Sequence, residues 1–136
     1  MLNILVELAF GAGVLCVAAA RNEPVDAREL SPAVDEDNEM MFNSSYGSVV
    51  DIFTPGVDMD HSVVGGGRTT SGSSGTSLAT GFIGGLVLYL KSTDGAYAQA
   101  KIVVGLLKEL ATKDVITGQP EGTLNLLAFN GQPLGD

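Results

Sequence analysis

The sequence predicts an α/β domain in which helices pack on a parallel sheet around a buried central helix beginning at Ser77. Three observations carry this. Residues 76–90 are almost all apolar or small, with no charge before Lys91, the composition of a helix buried on every side rather than on one stripe. Residues 1–18 read as helix, tight turn and apolar strand, which is one αβ unit of a parallel sheet. Residues 97–112 place Ile102, Val103, Leu106, Leu107 and Leu110 on one stripe, with Lys101, Lys108 and Glu109 outside it. That is an amphipathic helix laid on a sheet or on the central helix.

A chain of 136 residues is enough for one domain with one core. It is 45% hydrophobic with 18 glycines, a loop-rich globular composition rather than a disordered one. The net charge of -9 leaves no electrostatic footprint for phosphate backbones, so no nucleic acid partner is expected, and no membrane partner either. One cysteine, Cys16, and one histidine, His61, provide neither a zinc pattern nor an internal disulfide. No metal site and no cofactor are expected.

In chain order, Leu2, Leu5, Val6 and Ala9 share one helical face, and Gly11 and Gly13 are stop signals. The alternative for residues 1–20 is a secretory signal with a small-residue cleavage site at Val17-Ala18-Ala19-Ala20. Glu7 and the lack of an early positive charge favour the αβ unit. Val14-Leu15-Cys16-Val17-Ala18 is then a short buried strand, with Cys16 a small buried hydrophobe. Asn22 reads as a turn residue with Glu23 and Pro24. Asp35-Glu36-Asp37-Asn38 is a solvated loop, and it follows Ala33 so closely that no strand is expected there. Residues 49–53 form a strand ended by the Pro55-Gly56 turn. Asn43-Ser44-Ser45 fits a glycosylation acceptor, relevant only to a secreted chain. His61 falls in a Gly-rich loop as a surface histidine, the alternative being a base for a nearby nucleophile. Residues 65–72 could cradle a phosphate, but they lack the P-loop lysine and follow no convincing strand. Ser92-Thr93-Asp94-Gly95 is a turn before the last helix.

Ser77 lies in the first turn of the central helix. There the backbone N–H groups are unpaired and the helix dipole is positive, so a developing negative charge is stabilised. One reading is a helix-capping serine, an ordinary feature. The other is a nucleophile whose substrate becomes an oxyanion. Gly75-Thr76-Ser77-Leu78-Ala79 also matches the G-x-S-x-A elbow of α/β-hydrolases, a match confined to those five residues.

Ser74-Gly75-Thr76-Ser77-Leu78-Ala79-Thr80 resembles the nucleophile motif of subtilisin-like serine proteases, with Ser77 on the nucleophile. The resemblance continues in several blocks, in the family's order. Gly13-Val14-Leu15-Cys16-Val17-Ala18-Ala19-Ala20-Arg21-Asn22 is similar to the strand ending Ala-Ala-Gly-Asn. Asp26-Ala27-Arg28 and Ser31-Pro32-Ala33 resemble the fungal proteinase K-like members. Phe42-Asn43-Ser44-Ser45-Tyr46-Gly47, then Pro55-Gly56, resembles a family segment with one residue added. Residues 108–118 and 125–131 resemble the family's C-terminal end, so the chain is expected to reach its natural C-terminus.

The resemblance implies a partial subtilisin-like three-layer fold over residues 1–136, corresponding to the C-terminal half of a catalytic domain. It implies that Ser77 is the nucleophile position, Asn22 the oxyanion-hole position, and Ala19, Ala20 and Arg21 a wall of the substrate pocket. Arg21 stands where the family has glycine, and Gly81-Phe82 where it has Pro-His. The strand after Ser-Pro-Ala is missing. The family's Asp-Thr-Gly and His-Gly-Thr motifs occur nowhere in the chain, and His61 maps to no functional position. A serine without a base is not activated, so the chain alone is expected to be inactive. Its partner is a peptide or protein substrate if the missing N-terminal half completes it. The intact enzyme is expected to be extracellular. The uncovered sheet edge leads to an expected tendency to self-associate. The alternative is a non-catalytic relative that kept the scaffold and binds a partner.

Overall fold

The computed structural model describes residues 2–19, 32–48, 50–62, 69–93 and 95–132. The first helix, α1, spans Leu2–Gly11. It stops where Gly13 takes φ +89, a conformation open to glycine without strain. Residues 14–18 follow it without forming the expected strand. Their side chains alternate: Leu15 and Val17 pack against the main core, while Val14 and Ala18 are exposed and Cys16 is an exposed free thiol rather than a buried one. The period-2 pattern is there, but only one of its two faces is covered.

Ala33–Val34 forms β1, contrary to the expectation that no strand follows residue 32. It pairs in parallel with β2, Thr54–Pro55, in the register Ala33 to Thr54 and Val34 to Pro55. Two residues suffice because Asp35 closes the strand with its own side chain. Its Oδ1 accepts from the N–H groups of Asp37 at 3.0 Å and Glu39 at 2.8 Å, the local turn chemistry that aspartate offers. The strand expected over 49–53 is displaced forward to β2, and Phe53 instead makes a single parallel bridge to Leu127.

Met59–Ser62 (β3) and Thr69–Ser73 (β4) form an antiparallel hairpin with an irregularity between Met59 and His61. His61 thus lies in a strand, half-buried, and not in a loop. Helix α2 spans Thr76–Thr93, and a short 3-10 turn, Gly95–Ala98, leads into α3, Ala100–Leu110. The final helix is shorter than expected because that turn takes its first residues, and Ile102, expected on the buried stripe, is 40% exposed. Thr112–Lys113 (β5) pairs antiparallel with Leu126–Leu127 (β6).

The core has two main parts. Ile83, Leu86, Val87 and Leu90 of α2 meet Val103 and Leu107 of α3, together with Ile52 and Ala111. Val34, Val50, Phe53 and Ile116 form the second part, beneath the parallel pair. Phe53 joins the C-terminal segment to the sheet. Its N–H donates to the Leu126 carbonyl at 2.8 Å, and its carbonyl accepts from the Ala128 N–H at 2.9 Å.

Helix α2 is not buried all round. Thr76, Ala79, Ile83, Leu86, Val87 and Leu90 make one buried stripe at helical spacing. On the other side Ser77, Gly81, Phe82, Gly85, Leu88 and Tyr89 are exposed.

Candidate active site

The start of α2 is held by the turn that follows β2. Gly75 precedes the helix, and its carbonyl accepts from the N–H groups of Leu78 at 3.0 Å and Ala79 at 3.3 Å. The Gly75 N–H donates to the Gly56 carbonyl at 2.8 Å, while the Gly56 N–H donates to the Val34 carbonyl at 3.0 Å. A continuous backbone path therefore runs from β1 through Gly56 to the cap of α2. A side chain at residue 56 would not fit, because a Cβ there would lie 2.7 Å from the Ala33 Cβ and 3.1 Å from the Gly75 carbonyl oxygen. Two side-chain bonds complete the hold. The Thr54 hydroxyl donates to the Ala79 carbonyl at 2.9 Å, and the Asp58 N–H donates to Ser74 Oγ at 3.0 Å.

On this mount Thr76 is buried and Ser77 is exposed. Ser77 is the second residue of α2, within the turn whose N–H groups lack helical acceptors. Ser77 is exposed at the positive end of the helix, where an oxygen developing charge is favoured. Among the described residues no carboxylate or imidazole forms a hydrogen bond with Ser77 Oγ. His61, the one histidine of the sequence, sits on β3 with Nδ1 3.5 Å from the Met59 carbonyl oxygen.

The other expected site residues divide. Asn22, Ala20 and Arg21 lie outside the described residues. Ala19 is described, half-buried at a single β-bridge. Much of the stretch 65–72 also lies outside them, but Thr69–Ser73 is strand, which removes the phosphate-loop reading for that part. No group of three or more His, Cys, Asp or Glu side chains able to hold a metal occurs among the described residues.

Sequence reasoning missed a hollow of about 310 Å³ beside Ser74, lined by Met41, Phe42 and Val57 with Asp35 and Glu39. Asn43 Oδ1 on its wall is buried with no hydrogen-bond partner. The signal was Phe42, an aromatic next to a polar run that the structure leaves 87% exposed.

No family model matches the chain. Curated relatives do. Subtilisin-like proteinase Mp1 of Magnaporthiopsis poae is 45% identical over 142 residues, covering 95% of this chain and 35% of its own length. Alkaline protease 1 of Aspergillus flavus is 42% identical over 139 residues, covering 95% and 34% respectively. The chain thus spans about a third of the length of these relatives. Among solved structures, a cold adapted subtilisin-like serine proteinase superposes with a TM-score of 0.84 at 27% identity, over 99% of this chain and 50% of that one.

Proposed function

The chain belongs to the subtilisin-like proteinases over the part of their length that it spans, and from that premise we propose that it carries the nucleophile half of a serine endopeptidase site. The observation that supports this reading is the exposed Ser77 in the first turn of α2, on a mount held by Gly56, Thr54 and Asp58. Its Oγ would attack the scissile carbonyl, and the resulting oxyanion would accept from the Ser77 N–H and from the Asn22 side-chain amide. The products would be an acyl-enzyme on Ser77 and a released amine, followed by hydrolysis of the ester.

The chain does not run this reaction by itself. Attack needs a base to take the Oγ proton and a group to orient that base. The sequence holds one histidine, His61, and on the resemblance it falls on no functional position of the family. An oxyanion site and binding alone retain only about a thousand- to ten-thousandfold over water when triad members are removed from an otherwise intact enzyme. A serine-directed phosphonate is therefore expected to label the chain no faster than the Ser77→Ala variant. Labelling that requires Ser77 would overturn the inactive reading. Completed by the remainder of the catalytic domain, the site would take peptide or protein substrates, in the extracellular setting expected from the family.

A second reading is a non-catalytic scaffold that binds a partner. Arg21 in place of glycine and Gly81-Phe82 in place of Pro-His favour it. Phosphonate labelling after completion with the absent half separates the two: the catalytic reading requires Ser77-dependent labelling there, and the scaffold reading requires none.

A further inference from the structure

The hollow beside Ser74 has a lining of two kinds. Met41 and Val57 are apolar, and Phe42 stands beside them 87% exposed. Asp35 and Glu39 bring two carboxylates, and no lysine, arginine or histidine lines the space. Both carboxylates ride on one closed loop. The Asp35 N–H donates to the Glu39 carbonyl at 3.1 Å, Asp35 Oδ1 accepts from the N–H groups of Asp37 and Glu39, and Glu39 bridges in parallel to Thr117. The loop therefore sets the two charges at the hollow before anything arrives, which lowers the ordering cost of binding. Asn43 Oδ1 adds a buried acceptor with no donor to the same wall. At about 310 Å³ the space is far larger than the ~30 Å³ share of one water, and it is sized for a side chain.

Apolar walls with acidic groups beside them fit an occupant with a hydrocarbon stem and a cationic head. Lysine and arginine side chains have that form. The exposed Phe42 ring offers a face for the stem and for cation–π attraction. The net charge of -9 draws basic segments toward the chain at long range. A bare divalent ion fits less well. No group of three or more His, Cys, Asp or Glu side chains able to hold a metal occurs among the described residues, and apolar walls supply none of the oxygen ligands such an ion needs. We propose that the hollow between the 35–39 loop and Ser74 is a recognition site for a basic side chain of a peptide, with its stem against Met41, Phe42 and Val57 and its cation at Asp35 and Glu39. Ser77 plays no part in this site. Because the readout below is binding and not hydrolysis, failure of the nucleophile assignment would appear in phosphonate labelling and leave this result unaffected.

The test titrates the full chain with N-acetyl-lysine amide and with N-acetyl-norleucine amide, whose side chain has a similar stem and no charge, and follows backbone amide shifts by NMR. The expected result is saturable shifts at residues 35–43, 57 and 74 with the lysine amide, at an affinity about tenfold or more above that of the norleucine amide and weakened by high salt. Asp35→Asn and Glu39→Gln remove one charge each. Asparagine keeps an Oδ1 for the loop N–H groups, and Glu39 is exposed, so both variants keep the fold, which unchanged shift dispersion verifies. Each is expected to weaken the lysine amide about two- to fivefold, the range of a solvent-screened charge pair, and to leave the norleucine amide unaffected. Phe42→Ala is expected to weaken both amides. Four results would overturn the proposal: no saturable shifts at these residues, equal affinity for the two amides, lysine amide binding that neither charge variant alters, or displacement of the lysine amide by an equal concentration of magnesium, which would make the hollow an inorganic cation site.

Discussion

The hydroxyl of Thr54 donates to the carbonyl of Ala79 across 2.9 Å, and both residues are fully buried. This one bond ties the parallel strand β2 to the first turn of α2 and so fixes where Ser77 emerges. Thr54→Val keeps the shape and removes the donor. The net worth of such a buried bond is about 1 kcal/mol, rising to about 3 kcal/mol if the remaining partner is left unsatisfied. A fall of about 1–2 kcal/mol in unfolding free energy is expected, read as a lower urea midpoint at unchanged slope.

Gly56 is the tightest point of the same mount. Its Cβ would meet the Ala33 and Ala79 side chains at 2.7 and 3.1 Å, and its carbonyl accepts from the Gly75 N–H at 2.8 Å. Gly56→Ala is therefore expected to destabilise by about 1–3 kcal/mol, the range for overpacking. Helix propensity plays no part at this turn, so the loss measures steric misfit less the gain from the smaller unfolded-state entropy of alanine. Urea denaturation of Gly56→Ala beside the exposed control Gly81→Ala separates the two effects: the first should lose stability, and the second should hold or gain it.

The helices were legible because their signals are local. The apolar face of α1 and its glycine stop, and the uncharged run of α2, need only neighbouring residues to be read. The strands were not. Ala33–Val34 is two residues long and owes its existence to Thr54–Pro55, about twenty positions away, and to the Asp35 turn. Val14 to Ala18 has strand alternation and one covered face, but strand assignment requires a partner that local pattern does not supply. The burial of Cys16 was misjudged for the same reason, since it assumed a sheet covered on both sides. At the site, the place of Ser77 at the head of α2 followed from the motif and the helix start together. The Gly56–Gly75 and Thr54–Ala79 bonds that hold it there are contacts between distant segments and carry no pattern in the sequence.

Cys16 provides a direct check on that open face. Its thiol is exposed in the folded chain, so a thiol-exchange reagent should titrate it fully without denaturant, at a rate comparable with the chain in urea. Protection of the thiol in the folded monomer would mean that the segment after α1 is covered by some element other than those described.

Lys108 Nζ meets Asp51 Oδ1 at 2.6 Å, joining α3 to the segment before β2, but the two side chains are 40% and 67% exposed. A pair this open to solvent contributes little despite its short distance, because water screens the attraction and two flexible side chains must be held. Lys108→Ala is expected to cost less than about 1 kcal/mol. The difference from the parent chain should shrink further in high salt, as measured by paired urea titrations at two salt concentrations.

Asn125 presents the opposite case, a polar side chain with both ends used. Its Oδ1 accepts from the Ile116 N–H and its Nδ2 donates to the Ile116 carbonyl, each at 2.9 Å, while its own carbonyl accepts from the Asp114 N–H at 3.1 Å. The amide thus clamps the chain around Ile116, a buried member of the second core cluster. Asn125→Ala removes both side-chain bonds and is expected to cost about 1–3 kcal/mol. Asn125→Asp is more specific. Ionised, the introduced carboxyl still accepts from the N–H but faces the Ile116 carbonyl oxygen without a donor; protonated, it supplies both bonds. Folding therefore favours the protonated form and raises the pKa of that carboxyl above its unfolded value. A raised folded pKa contributes stability that is present at low pH and is lost as pH rises through it. The variant is expected to be destabilised at neutral pH and to recover part of the loss, relative to the parent chain, as pH falls into the carboxylate range. Urea titrations of both chains across that range would show the difference narrowing; a constant difference would mean that the amide proton contributes nothing to the clamp.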